Sequence, residues 1–418
     1  MTWQRAHMTT DPGHAHAGSL HGAERIARWS VVGAFCAFGM MWGICHVVLV
    51  DLQEALKLST GALGAAMTFG VSASIPSMLI SGRLVDKLGP RALMAMTALL
   101  LAAGLLCFAL ARNYVTFCAG MAILYGSSGA YDVAINAAAI HIERINQRRV
   151  IAYFHGAFSG VAAISGLSAG YLLSIAVPFR WIYIGLAVLM LMVSILITSN
   201  PVLAHAKVSP PKPAGGNFSA IKLLLVPTVL LVAAITTLSF LSENALQTWS
   251  SIYLRISLGV PVLVGSIGPA GVYAAMSLGR FITGYVVTRL GRCALLRISG
   301  VLTALGMVIA LSSTTPWIVI AGFLFCGVAQ SGIAPVAYSI GGDVAPDKAG
   351  QVTSIITTIS YTGFLSGPAL IGGLAEFYGL RFALGLVIVG GVLISILALY
   401  IKEPKPVQQS LSSYALES

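Results

Sequence analysis

Long apolar runs broken by short charged or glycine-rich turns set the pattern of this chain. They cover roughly 29–50, 61–82, 92–111, 115–141, 150–175 and 179–200, then 221–249, 262–287, 293–312, 315–341, 350–375 and 380–401. Each comes near the ~20 residues that an α-helix needs to cross the hydrocarbon of a bilayer. The pattern predicts an all-α membrane protein of twelve transmembrane helices in two six-helix bundles, 29–200 and 221–401. Between them, 201–220 reads as a solvated linker, because it contains the sequence SPPKPAGG. Residues 1–28 read as a disordered N-terminal tail and 402–418 as a polar C-terminal tail.

The two bundles carry an internal echo. Residues 82–91 read GRLVDKLGPR and residues 284–293 read GYVVTRLGRC, an offset of 202 residues. Gly82 matches Gly284, Lys87 matches Arg289 and Gly89 matches Gly291. A repeat at nearly half the chain length implies a duplicated membrane unit, hence pseudo-symmetric bundles. The charges Arg83, Asp86, Lys87 and Arg91 exclude this turn from hydrocarbon and put it at a membrane surface. Gly89-Pro90 breaks any helix running through it.

Composition sharpens this picture. Apolar residues make up 57% of the chain and charged residues 9%, against roughly 25% charged in soluble domains. A soluble fold is therefore excluded. The net charge of +11 does not indicate nucleic acid, because the basic residues lie in many short loops. Their distribution sets an orientation instead. With the N-terminus inside, eighteen of the 24 Lys and Arg fall on the inner side. Lys57, Arg112, Arg180, Arg255 and Arg381 fall outside, and Arg280 lies within a span. Both termini are thus expected in the cytoplasm, with no cleavable signal peptide in the first 28 residues. The six cysteines have no metal or disulfide spacing, and no cofactor is expected. The stretch Gly13–His21, GHAHAGSLH, reads as part of the tail rather than as a metal site.

Charged side chains within a span cost at least ~2.5 kcal/mol each near the bilayer centre, so they mark candidate chemistry. The ionisable residues inside spans are His46, Asp132, His155, Glu243 and Arg280. Asp132 and Asn136 share a helix face with Tyr125 and Ser128. The next span runs antiparallel and brings His155 to the depth of Asn136, with Asp132 about 6 Å further in. This is either a proton- or substrate-linked cluster or a static hydrogen-bond clamp. In the seventh span Glu243 and Gln247 share a face, flanked by Asn244 and Thr248, with Trp249 and Tyr253 nearer the outer interface. An acid, amides and aromatics suit a small polyhydroxylated solute; an interfacial aromatic belt or an outer gate would use the same residues. Arg280 is expected either to pair with Asp132 across the halves or to bind a substrate anion. His46 fits a ligand or a plain interfacial histidine equally. Asp51, Glu54, Asp343 and Glu376 sit at span ends and read as solvated.

The 82–91 turn resembles the signature loop of the major facilitator superfamily. Gly82, Leu84, Asp86, Lys87, Gly89 and Arg91 match its pattern, and Pro90 replaces the first of the usual basic pair. YDVAINAA from Tyr131, HGAFS from His155, ENALQTWSSIYL from Glu243, GRFITG from Gly279 and TISYTGFLSGPALIGG from Thr358 resemble a bacterial branch near the fucose permeases. That branch includes an inner-membrane protein of rhizopine gene clusters. The resemblance implies secondary transport across the inner membrane by alternating access and does not fix the substrate; the buried acids and amides point to a small polar solute (a sugar, polyol or related compound) and to a proton as coupling ion, and the protein is expected to be a monomer. Gly82, Arg83, Asp86, Lys87, Gly89 and Arg91 would then form a conformational gating loop. Efflux of a drug-like compound and solute sensing without transport are the alternatives. An intramembrane enzyme is disfavoured, since the chain lacks HExxH and GxSxG.

Overall fold

The computed structural model describes residues 12–146, 151–198, 223, 225–345 and 348–401. The expected linker 201–220, the tail 402–418 and residues 1–11 lie outside the described residues. Residues 12–28, expected as disordered tail, are instead helical. The first helix, α1 (Pro12–Ala55), begins there, because Pro fits a first helical turn and the Ala- and Glu/Arg-containing sequence that follows favours helix.

Ten further helices follow: α2 (Thr60–Leu110), α3 (Tyr114–Asn146), α4 (Ile151–Ser174) and α5 (Phe179–Thr198) in the first half. The second half holds α6 (Pro227–Ser257), α7 (Val262–Leu290), α8 (Arg292–Ser312), α9 (Pro316–Val344), α10 (Ala349–Tyr378) and α11 (Leu380–Leu397). Ten helices among the described residues are long and apolar enough to cross a membrane. At 51 residues α2 would be about 76 Å long if straight, far beyond one bilayer. It turns at Gly89, whose φ of 78° lies in the left-handed region that glycine occupies without steric cost. The twelve expected spans need α2 to be two passes and α3, with its polar centre, to be one more.

Gly291, between α7 and α8, has φ 82° and ψ 165°, matching φ 78° and ψ 159° at Gly89. The repeat seen in the sequence is therefore a repeat of backbone geometry. Arginines close both turns. The Arg91 guanidinium donates to the Thr198 carbonyl at the end of α5. Arg292 donates to Ser339 Oγ at 3.1 Å and to Asp343 at 2.5 Å. Asp343 is thus ion-paired rather than merely solvated. We call the ends bearing Gly89 and Gly291 inner, after the bias of basic residues.

Two interfaces join the halves: the first part of α2 packs on α10, and α4 packs on α7. At their outer ends the helices approach closely at glycines, backbone to backbone in the first interface and backbone to a serine side chain in the second. A Cβ added at Gly372 would lie 2.6 Å from the Thr60 carbonyl oxygen and 2.8 Å from Gly64 Cα. One at Gly64 would overlap the Pro368 carbonyl, and one at Gly170 would overlap Ser266. Nearer the inner ends a Cβ at Gly82, Gly156, Gly160 or Gly284 would meet nothing within 4 Å, and the polar contact between α4 and α7 there is that of Ser159 with Arg280. The halves are closed at their outer ends.

Polar contacts reinforce the outer closure. Arg255 at the end of α6 grips Asp51 of α1 through two bonds of 2.7 and 3.0 Å, and Glu54 lies 3.7 Å away. The Arg255 side chain is only 6% exposed and that of Asp51 18%. Glu376 of α10 accepts from Gly61 N at 2.8 Å and Thr60 Oγ1 at 3.1 Å, at the start of α2. Asp51 and Glu376, expected as solvated span ends, are instead bonded across the halves. Sequence alone places them only at helix ends, whereas docking of the halves supplies their partners.

Gly64→Val should wedge this closure open. A cysteine placed at Ser128, in a background without the six native cysteines, should then react faster with an impermeant maleimide applied from outside. Unchanged labelling would refute the closure.

Candidate functional site

The site begins with two local devices. On α3 the 3.6-residue period stacks Tyr125, Ser128 and Asp132 on one stripe. On α6 the helix widens into π-turns at Ala245–Trp249 and Tyr253–Ser257. Such extra-residue turns shift the register of side chains and recur at functional sites. Glu243 and Gln247 are bonded across the start of the first turn, Gln247 Nε2 donating to Glu243 Oε1 at 2.9 Å.

These stripes line a cavity of about 250 Å³ between the halves. The first half contributes Phe38, Trp42 and His46 from α1, Val71, Ser74 and Met78 from α2, Tyr125, Ser128, Gly129 and Asp132 from α3, and Phe158 from α4. The second contributes Glu243, Asn244 and Gln247 from α6, Tyr273 from α7, and Tyr361 and Phe364 from α10. Both acids expected from the sequence therefore face one space, one from each half.

The Asp132–Asn136–His155 cluster is assembled as the helix depths predicted. Asn136 Nδ2 donates to Asp132 Oδ1 at 3.0 Å and to its carbonyl at 2.9 Å. His155 Nε2 lies 3.3 Å from Asn136 Oδ1, and its ring meets Phe35 edge-on at 5.2 Å. Asn136 and His155 do not line the cavity; they stand behind Asp132.

Arg280 departs from expectation. It donates to Ser159 Oγ on α4 at 3.0 Å, and no ion pair with Asp132 is present among the described residues. The cause is depth. The third helix runs on to Asn146, so Asp132 lies about 21 Å from its inner end, whereas Arg280 lies only about 15 Å from the end of α7. Trp249 also departs. It is fully buried, packed in the core rather than in the cavity or an interfacial belt. The gating-loop residues Arg83, Asp86 and Lys87 are exposed at the inner end.

His46, which the sequence left open between a ligand and an interfacial histidine, is buried, 5% exposed. Its Nδ1 lies 3.1 Å from Tyr273 Oη, and Trp42 stacks on it at 5.3 Å. Tyr273 Oη also donates to Gln247 Oε1 at 3.4 Å. A hydrogen-bonded chain thus runs from Glu243 through Gln247 and Tyr273 to His46, joining α6 and α7 to α1. Aromatic residues in an apolar run look like core, so Phe38, Trp42, Tyr273, Tyr361 and Phe364 carried no signal except proximity to His46. Asn244 Oδ1 is buried in the cavity wall with no hydrogen-bond partner among the described residues.

With this geometry established, the comparisons identify the class. The Major Facilitator Superfamily model matches residues 31–279 and 269–415. The chain belongs to that superfamily and is a multi-pass membrane transporter. An MFS-type transporter of Yersinia pestis is 28% identical over 344 residues, covering 81% of this chain and 86% of that protein. Membrane protein MosC of Rhizobium meliloti is 26% identical over 366 residues, covering 88% of each. The bacterial nucleoside transporter NupG has a TM-score of 0.75 at 14% identity, over 90% of this chain and 98% of its own. A bacterial homologue of the lysosomal transporter Spinster, inward-facing and unoccupied, has a TM-score of 0.70 at 13% identity, over 90% of this chain and 96% of its own. At such identities the solved structures speak for the fold alone.

Tyr273→Phe removes the one hydroxyl that links His46 to Gln247 while keeping the ring. About 1 kcal/mol of stability should be lost, read as a lower midpoint of thermal unfolding in detergent. His46→Phe in the same background should then add less than it does alone, since the shared bond is already gone. Full additivity would show that the chain is not a unit.

Proposed function

We propose that this protein moves a small polar solute across the bacterial inner membrane by alternating access, coupled to protons, with the central cavity as its solute site. The observation that carries the reading is the cavity itself, walled by both halves and sealed outside by Asp51–Arg255 and the glycine contacts. A rigid-body rocking of the halves about it would expose the same residues to each side in turn. Tyr125, Asp132, Glu243, Asn244 and Gln247 bind solute in this account, and Asn244 Oδ1 offers an unused acceptor.

Asp132, backed by Asn136 and His155, is the proton site. It is a carboxylate at the cavity wall whose hydrogen bonds come from a neutral amide, so protonation can change its charge without breaking an ion pair. Arg280 tunes Glu243 and braces α7 against α4 through Ser159. In the opposite state the inner ends close, and Gly82, Arg83, Asp86, Lys87, Gly89 and Arg91 form the contact that holds them. The protein acts as a monomer, since one chain supplies the whole cavity.

Asp132→Asn keeps the shape of the side chain but cannot titrate. In proteoliposomes the variant should lose pH-gradient-driven accumulation while retaining counterflow exchange. Undiminished uphill transport would remove Asp132 from coupling. The orientation is tested separately by cysteine labelling in whole cells. Ala214→Cys and Ser410→Cys should be protected from impermeant reagent and Lys57→Cys should react; the reverse pattern would overturn the topology.

A further inference from the structure

On α1 the residues Phe38, Trp42 and His46 line the central cavity. Met40 and Ile44, offset from them by two residues, point away from it and wall a second space between α1, α4 and α5. This space is a groove of two adjoining hollows, about 400 and 330 Å³, which share Met40, Ile44, Leu172 and Ile182. We propose that the groove binds one anionic phospholipid, with an acyl chain lying in it and the headgroup phosphate held by Arg180.

The chemistry of the wall selects hydrocarbon. Its two serines are satisfied by their own helix: Ser168 Oγ donates to the Ile164 carbonyl at 2.9 Å and Ser165 Oγ to the Ala162 carbonyl at 3.2 Å. The other side chains are apolar except the indole of Trp181 at the mouth. A polar occupant would lose its hydration and gain no bond, whereas an acyl chain has none to lose. The depth also fits. Leu189 lies about 15 Å down α5 from Phe179, and Val161 about 20 Å down α4 from Ser174. The groove therefore runs from the outer surface to the midplane of a ~30 Å hydrocarbon core, the depth of one leaflet. It is open along α5 as well, since a Cβ added at Gly185 would meet nothing within 4 Å.

The mouth is built by the turn between α4 and α5. Ala176 has φ 63°. The N–H groups of Ala176 and Val177 donate to the carbonyls of Leu173 and Leu172, each at 3.0 Å. That pair of bonds ends a helix and folds the next residue back onto its last turn, so Val177 and Leu172 share the rim. Arg180 follows directly. Its guanidinium lies over the Phe179 ring, 5.7 Å from the centroid. It is exposed and forms no ion pair among the described residues. Trp181 beside it is 65% exposed, and tryptophan favours the headgroup level of a bilayer. A cation at that level gains from a net negative headgroup. A choline headgroup would set its own cation beside the arginine.

Native mass spectrometry of the full chain in detergent, titrated with dioleoyl phosphatidylglycerol or dioleoyl phosphatidylcholine, tests the site. The first phosphatidylglycerol should bind at least about fivefold more tightly than the first phosphatidylcholine. Arg180→Gln should abolish that preference. Arg112→Gln, which removes the same charge at the same end of the first half, should leave it intact. Gly185→Leu fills the groove and should weaken the first phosphatidylglycerol by at least about tenfold. Equal effects of the two arginine substitutions would reduce the preference to general surface charge and overturn the proposal. So would unweakened binding to Gly185→Leu, or the absence of any lipid adduct. Lipid-free dimers that vanish in Gly185→Leu would put a second copy of the chain in the groove and overturn it too. Arg180→Gln alters an exposed side chain, so its result decides even where Gly185→Leu fails to fold.

Discussion

Close approach at glycines at the outer ends of two interfaces is the contact on which the rest of this structure depends. Gly64 and Gly372 on one side, and Gly170 beside Ser266 on the other, let the halves approach closely enough to close. Apolar surface gives little drive for helix association inside a bilayer, so close packing of small residues and polar bonds must supply it. With the backbones in contact, Arg255 can reach Asp51 and Glu376 can cap the start of α2. The cavity lies between the halves that this closure holds together.

Symmetry and asymmetry divide the labour. Gly89 and Gly291 adopt the same conformation 202 residues apart, and α2–α10 mirrors α7–α4 in the way the halves meet. The chemistry has no such mirror. Asp132 belongs to the first half and Glu243 to the second, and both face one space. His46 reaches Glu243 only through Tyr273 and Gln247. A repeated scaffold gives two bodies able to rock, while unrepeated side chains give them something to recognise.

Packing inside each half uses the same device with different residues. In the first, Gly39 and Gly43 on α1 lie against the backbone of α4 at Phe158 and Ala162. In the second, the small residue is on the partner helix, Gly363 of α10 against Thr237 of α6. This swap leaves α6 free to carry bulky and polar side chains through its π-turns, where Glu243, Asn244 and Gln247 enter the cavity.

The sequence by itself determined the membrane class, the near-repeat at 202 residues, the break at Gly89 and the set of acids and amides that line the cavity. These follow from local rules: hydrocarbon admits runs of apolar residues, excludes charge, and leaves any buried polar group conspicuous. It also placed Asn136 beside His155, because depth along neighbouring antiparallel helices is simple arithmetic. Only the tertiary structure decided which groups meet across the halves. Asp51 found Arg255, and Arg280 found Ser159 rather than Asp132, because helix ends and tilts shift depth by several ångströms. Trp249 lies on the far side of α6 from Glu243 and Gln247 and packs in the core. His46 and Tyr273 became site residues only when α1 and α7 were brought together. An aromatic residue in an apolar run is the same letter whether it fills a core or faces a solute, and packing alone tells the two apart.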